Sequence, residues 1–83
     1  MKPIEFIRTH VFKQTQAAFA RLAGVSQSTV SKWEAGVLAP SQEEMVRIRS
    51  AAIRLALGWE CEAWQDEWFF VLPRELRQPR AAL

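Results

Sequence analysis

Apolar residues recur at intervals of three and four through the first two thirds of the chain, which is the period of helices packed on one side. Between Gln16 and Gly36 the sequence reads QAAFARLAGVSQSTVSKWEAG, and the pattern predicts two short helices joined by a tight turn. Thr15 and Ser26 stand where a side-chain oxygen can cap the start of each helix. Gly24 and Gly36 stand where each helix should end, since a left-handed residue there favours glycine.

The same period predicts one further helix on each side of this pair. Pro3 suits the first turn of a helix that ends near Phe12. Ser41 and Glu44 have the spacing of a capping box at the start of a longer helix, which Gly58 is expected to close. The predicted helices cover residues 3–12, 16–23, 27–35 and 42–57. The fold class is therefore predicted to be all-α, as a compact domain of four to five helices.

The sequence divides into this helical domain, residues 3–57, and a short aromatic C-terminal extension, residues 58–83. The run at 59–72 holds three of the four tryptophans and two phenylalanines, which is more aromatic surface than a solvated tail carries. We expect these side chains to cover the helical core, to form a dimer contact, or to do both; the residues are Trp64, Trp68, Phe69 and Phe70. The pattern allows either a helix or a short strand here, and residues 74–83 are expected to be frayed.

The outward face of the helix predicted over 27–35 carries the candidate chemistry. It presents hydroxyls, an amide and an ammonium group without a carboxylate, from Gln27, Ser28, Thr29, Ser31 and Lys32. Hydroxyls and amides can read base edges, and an ammonium group can meet a phosphate or a guanine. A pair of helices joined in this way places such a face in the major groove of DNA.

The run TQAAFARLAGVSQSTVSKWEAG, followed by Pro40 and Ser41, resembles the helix-turn-helix of the lambda-repressor-like family, which includes Cro and the phage repressors. The matching positions are Thr15, Gln16, Ala20, Gly24, Ser26, Val30, Ser31, Trp33, Glu34 and Gly36. Ala18 departs from the family, which often has a glutamate there that completes a capping box. The resemblance can be laid on residues 3–57 and stops at Gly58.

The resemblance implies a sequence-specific transcriptional regulator, a repressor in the simplest case, that binds an inverted-repeat operator in double-stranded DNA as a homodimer. It implies that Gln16 clamps a backbone phosphate and braces Gln27. It also implies that the loop at residues 37–40, after the helix over 27–35, touches phosphate. It also implies a structural ion pair between Glu34 and an arginine of the first helix, for which Arg8 is the candidate. The predicted DNA-binding residues are Gln16, Gln27, Ser28, Thr29, Ser31, Lys32 and Lys13.

Charge supports a polyanionic partner on one side of the molecule. The net charge is +2, but residues 1–57 hold eight basic and four acidic side chains, whereas residues 58–83 hold three and five. A basic body with an acidic extension suits one-sided binding to DNA.

Other classes of function find little support in the sequence. There is no nucleophile–base pair or carboxylate cluster, so no enzyme is predicted, and no cofactor is expected. His10 has no nearby His or Cys that would make a metal site. The single Cys61 fits a reducing compartment, and no apolar run is long enough to span a membrane. We expect a cytoplasmic, DNA-associated protein of bacterial or phage origin. The alternative is an antitoxin of the same fold that binds a partner protein through its aromatic tail and autoregulates.

Overall fold

A computed structural model of the chain describes residues 1–77, where helices dominate and one small hairpin follows them. In chain order the elements are α1 (Pro3–Phe6), a π-helical continuation (Ile7–Phe12), α2 (Gln16–Ala23), α3 (Gln27–Ala35), α4 (Gln42–Arg54), β1 (Gly58–Trp59), β2 (Glu62–Ala63), a 3-10 helix (Asp66–Phe69) and α5 (Arg74–Arg77). The predicted all-α class is confirmed. The strands of the described part of the chain form a single two-stranded sheet.

The first helical segment changes its winding at Ile7. A π-helix closes its hydrogen bonds between residues five apart, so its wider turn brings Ile7 and Phe12 towards the same side of the helix. Both side chains are buried, as is Val11. The segment ends at Lys13, which has a left-handed backbone with φ of 55°.

Hydroxyl caps and glycines delimit the central pair of helices. Thr15 Oγ1 accepts from the Ala18 N–H at 3.1 Å, and Ser26 Oγ accepts from the Thr29 N–H at 3.2 Å. Each satisfies a backbone donor that the first helical turn leaves without a partner. Gly24, with φ of 75°, ends α2.

The corner between α2 and α3 is filled by small, branched and aromatic apolar side chains. Ala20 and Ala23 are buried on α2, and Val30 and Trp33 are buried on α3. The small side chains on α2 allow the two helix backbones to approach each other closely. This packing fixes the angle at which α3 presents its opposite face to solvent.

The end of α4 lies earlier than the sequence pattern indicated. The helix begins with the capping box of Ser41 and Glu44 and ends at Arg54. Ala56 then takes a left-handed conformation with φ of 56°. The N–H of Leu57 donates to the Ala52 carbonyl at 2.9 Å, which is the 6→1 bond of a Schellman motif. Leu55 follows the end of the helix and is 49% exposed.

Gly58, which was expected to close α4, begins a β-hairpin. Gly58 pairs with Ala63 and Trp59 pairs with Glu62, so the loop has two residues, and both have positive φ. That is the pattern of a type I′ turn. A Cβ on Gly58 would lie 1.9 Å from the carbonyl oxygen of Glu62, so the close approach of the two strands requires glycine here.

The aromatic extension folds back onto the helices as this hairpin and a 3-10 helix, so it contains both short strands and one helical turn. Trp68 is 2% exposed, and its ring meets Phe6 edge-to-face at 5.5 Å. Trp64 and Phe69 are half-buried beside it, whereas Phe70 is 69% exposed.

The region predicted to be frayed starts with α5, which packs Leu76 against the core. The rest of that region, residues 78–83, lies outside the described residues.

The left-handed residue that ends α4 gives a stability prediction. Ala56→Gly should raise the free energy of unfolding by about 1 kcal/mol, because an L-residue with a Cβ is strained in this conformation. Urea denaturation followed by circular dichroism measures the change. Ala18→Gly, the same substitution inside the first turn of α2, should lower stability by roughly 0.5–1 kcal/mol. Equal destabilisation by both changes would contradict the assigned helix end.

Candidate nucleic-acid interface

The outer face of α3 is a set of polar side chains, most of which have no partner in the described part of the chain. Four of them are exposed and make no side-chain hydrogen bond or ion pair to any residue in 1–77; they are Gln27, Ser28, Ser31 and Lys32. Polar groups without intramolecular partners are available to donate to and accept from a ligand. The face is held rigidly, since Val30 and Trp33 on the opposite side are buried.

Thr29 differs from the other predicted contact residues on α3. It is half-buried, and its Oγ1 lies 3.0 Å from Ser26 Oγ. Its hydroxyl therefore belongs to the cap of α3, and its methyl group is the part left for an outside contact.

The beginning of α2 contributes two further predicted residues. Lys13 is exposed immediately before the helix, and Gln16 is half-buried in its first turn. The N–H groups of a first helical turn favour an anion, so an ammonium group and an amide stand beside a position suited to phosphate.

An ion pair ties the first helix to α3. Arg8 donates through Nε to Glu34 Oε2 at 2.5 Å and through Nη2 to Oε1 at 3.0 Å. The side chains of Arg8 and Glu34 are only 15% and 10% exposed. The hydrogen bonds to Glu34 raise the pKa of Arg8 above its ordinary value, against the opposing effect of burial. Glu34 is the single carboxylate of α3, and this pairing turns it towards the protein.

Gln16 joins this ion pair instead of bracing Gln27. Its Nε2 donates to Glu34 Oε1 at 3.0 Å, so the bracing role that the family resemblance implied is absent from this structure. The amide oxygen of Gln16 makes no hydrogen bond within the described residues. The sequence carries no signal for the contact with Glu34, because the two residues are 18 positions apart and only the crossing of α2 with α3 brings them together.

The loop after α3 has fewer free backbone donors than expected. The N–H groups of Val37 and Leu38 both donate to the Lys32 carbonyl, at 3.0 and 3.3 Å. They complete the end of α3 and are not available for phosphate. Both side chains in this part of the loop are exposed.

Arg47 has a structural role that the sequence did not reveal. Its Nη1 donates to the Ala23 carbonyl at 3.0 Å, which satisfies an acceptor at the end of α2. Its Nη2 lies 3.2 Å from Glu43 Oε2. Arg49 Nε lies 3.8 Å from Asp66 Oδ1. Both arginines therefore make contacts within the chain.

The described residues contain neither a cluster of metal-ligating side chains nor a membrane-spanning helix. No group of three or more His, Cys, Asp or Glu side chains in residues 1–77 could hold a metal ion. Nor does any helix in that range have the length and apolar character needed to cross a bilayer. His10 contacts Thr9 Oγ1 through Nδ1 at 2.8 Å and stacks on Phe6.

Comparison with known proteins identifies the central segment. A family model described as helix-turn-helix matches residues 14–52, which include α2, α3 and most of α4. Searches of curated proteins and of solved structures found no match.

The ion pair gives the second stability prediction. Glu34→Gln should lower the free energy of unfolding by about 1.5–3 kcal/mol, because it leaves the half-buried Arg8 without a charged partner. Glu43→Gln is the matched control. It removes an exposed pair with Arg47 and should cost less than about 0.5 kcal/mol. Urea denaturation compares the two, and equal losses would show that the Arg8–Glu34 pair does not anchor α3.

Proposed function

We propose that this chain is a DNA-binding regulator of the lambda-repressor-like type, on the basis of the helix-turn-helix family model that matches residues 14–52. In this proposal it binds a specific operator sequence and regulates transcription. The simplest action is repression by occupying a promoter. In this proposal α3 is the recognition helix and lies in the major groove, and two copies of the chain bind an inverted repeat.

One observation carries the proposal: within residues 1–77, the exposed side chains Gln27, Ser28, Ser31 and Lys32 of α3 make no side-chain hydrogen bond or ion pair. Polar side chains three or four positions apart on a helix can pair with one another. Here Gln27, Ser28 and Ser31 remain unpaired on a helix whose only carboxylate is held by Arg8. The face therefore offers donors and acceptors to base edges without repelling phosphate.

Four side chains on this face have distinct proposed roles. The Gln27 amide suits a bidentate contact to adenine, and the hydroxyl of Ser28 can meet any base edge. The methyl group of Thr29 can contact a thymine. Lys32, one turn later, reaches either a phosphate or a guanine, and we assign it to phosphate.

Gln16 and Lys13 would bind the DNA backbone at the start of α2. Gln16 enters the complex already oriented, since Glu34 holds its amide nitrogen at 3.0 Å. Phosphate contacts of this kind position the protein and supply affinity that falls with salt, whereas base contacts supply the sequence discrimination.

The exposed Phe70 favours a second candidate, an antitoxin-type protein that binds a partner protein through its tail and regulates its own synthesis. It has less support, because Trp68 is buried and Trp64 and Phe69 pack against the same core. Most of the aromatic surface is thereby used within the chain.

Selection of bound duplexes from a random DNA pool tests the leading proposal. We expect enrichment of an inverted repeat whose half-sites are about 34 Å apart, or one turn of the double helix. Sequencing of the bound fraction gives the operator directly. A pool that binds at low salt without enrichment would show general affinity for DNA and would reject the base-reading role of α3.

The role of Gln27 has its own test. Gln27→Ala should weaken binding to the selected operator by about 5- to 150-fold, the value of one good bidentate contact, and should leave binding to unrelated DNA unchanged. Gln65→Ala, at an exposed glutamine of the tail, is the matched control and should alter neither. Gel-shift titration at one salt concentration measures binding to the selected operator and to unrelated DNA. A loss of equal size on the two DNAs would remove Gln27 from base reading.

A further inference from the structure

The outer side of α4 carries apolar side chains where a solvated helix would be polar. Ile48, Ala51 and Ala52 face the core, and Val46 and Ile53 lie on the opposite side of the helix, 46% and 59% exposed. Arg49 and the small Ser50 stand between them at helical spacing. We call these four residues the α4 stripe: Val46, Arg49, Ser50 and Ile53.

Two apolar grooves run beside this stripe, between α4 and the folded-back tail. The first, of about 180 Å³, lies next to Val46 and includes Phe69 and Phe70. The second, of about 270 Å³, lies next to Ile53 and includes Leu57 and Trp64. Both are smaller than the roughly 300–1,000 Å³ of a typical small-molecule site. Their size and apolar lining suit a branched aliphatic side chain.

Charge does not oppose the meeting of two such surfaces. Arg49 lies 3.8 Å from Asp66, and Arg47 is paired with Glu43. Two of the three arginines of α4 are thus already balanced by carboxylates of their own chain, so two identical copies can approach without strong repulsion.

We propose that a second copy of this chain docks on the α4 stripe, with the two α4 helices antiparallel. A two-fold axis between Arg49 and Ser50 sets Val46 opposite the partner's Ile53, and Ile53 opposite the partner's Val46. Each aliphatic side chain then enters the groove beside the residue that it faces, and the small Ser50 lets the helices approach. Such a surface is self-complementary, as a two-fold contact requires.

This inference rests on the proposed function, which needs two copies on an inverted repeat, and it names the surface that joins them. It gives the exposed Phe70 a role, since its ring borders the groove that receives the partner's Ile53. It also leaves the polar face of α3 free for DNA, because the α4 stripe shares no residue with it.

Charge substitutions in the full chain test both the surface and the direction of the helices. Val46→Glu and Ile53→Lys should each raise the dimer dissociation constant at least about tenfold, since each places an unpaired charge in an apolar contact. The double variant V46E/I53K should return to within a few-fold of the unsubstituted protein, because each glutamate then faces a lysine of the partner. Sedimentation equilibrium measures the constants, and circular dichroism checks that each variant is folded.

The controls separate the possible outcomes. Val37→Glu, at an aliphatic residue that is 72% exposed outside the stripe, should leave the dissociation constant unchanged. If the two helices were parallel, each glutamate would face a glutamate and each lysine a lysine. A double variant whose dissociation constant stays high would therefore overturn the antiparallel arrangement. A protein that is monomeric at all concentrations, or single variants that remain dimeric, would overturn the surface itself.

Binding of the same variants to one selected half-site distinguishes this inference from the function. Specific half-site binding by a monomeric protein would leave the proposed function standing and reject the α4 contact. A dimer that behaves as proposed but selects no sequence would reject the function alone.

Discussion

The half-buried ion pair between Arg8 and Glu34 is the contact on which the geometry of the polar face depends. Arg8 binds both carboxylate oxygens of Glu34 and also donates to the Gln14 carbonyl at 3.0 Å, so one guanidinium group joins the first helix, the loop before α2 and the end of α3. A charged pair this little exposed stabilises the fold only while both partners remain. The same pair withdraws the one negative charge of α3 from its outer side and orients Gln16. The same ion pair therefore joins these elements and keeps negative charge away from the outer face of α3.

The aromatic extension differs in composition from the helices but completes their core. Phe6 is fully buried, and it contacts Trp59 of the hairpin at 5.3 Å and Trp68 of the 3-10 helix at 5.5 Å. A chain of this length buries a limited share of its surface, so large rings that cover one side of the first helix add substantially to its stability. The hairpin that delivers Trp59 has Glu60 and Cys61 in a turn that glycine and asparagine prefer, which indicates that packing, more than turn preference, holds it in place.

The parts of the fold that the sequence revealed are those governed by local chemistry. Thr15 and Ser26 were assigned as caps, and each bonds the N–H that its position implies, because a cap needs only its own helix. The end of α4 could not be read in this way, since Ala56 occupies a position where glycine is usual and Gly58 offered a misleading signal. The hairpin was missed because the pair Glu60–Cys61 carries no turn signature. The contact of Gln16 with Glu34 depends on how two helices cross, and no local pattern contains that information.

The placement of the tryptophans allows intrinsic fluorescence to report on the folding of the tail. The chain has four tryptophans and no tyrosine, so with excitation at about 295 nm, where phenylalanine does not absorb, its emission comes from indole. Trp33 lies in the corner between α2 and α3, whereas Trp59, Trp64 and Trp68 lie together in the folded-back tail. Emission from this chain therefore reports mainly whether the tail is seated on the first helix. In a variant with phenylalanine at the three tail positions, the remaining signal would follow the helix pair that carries the polar face.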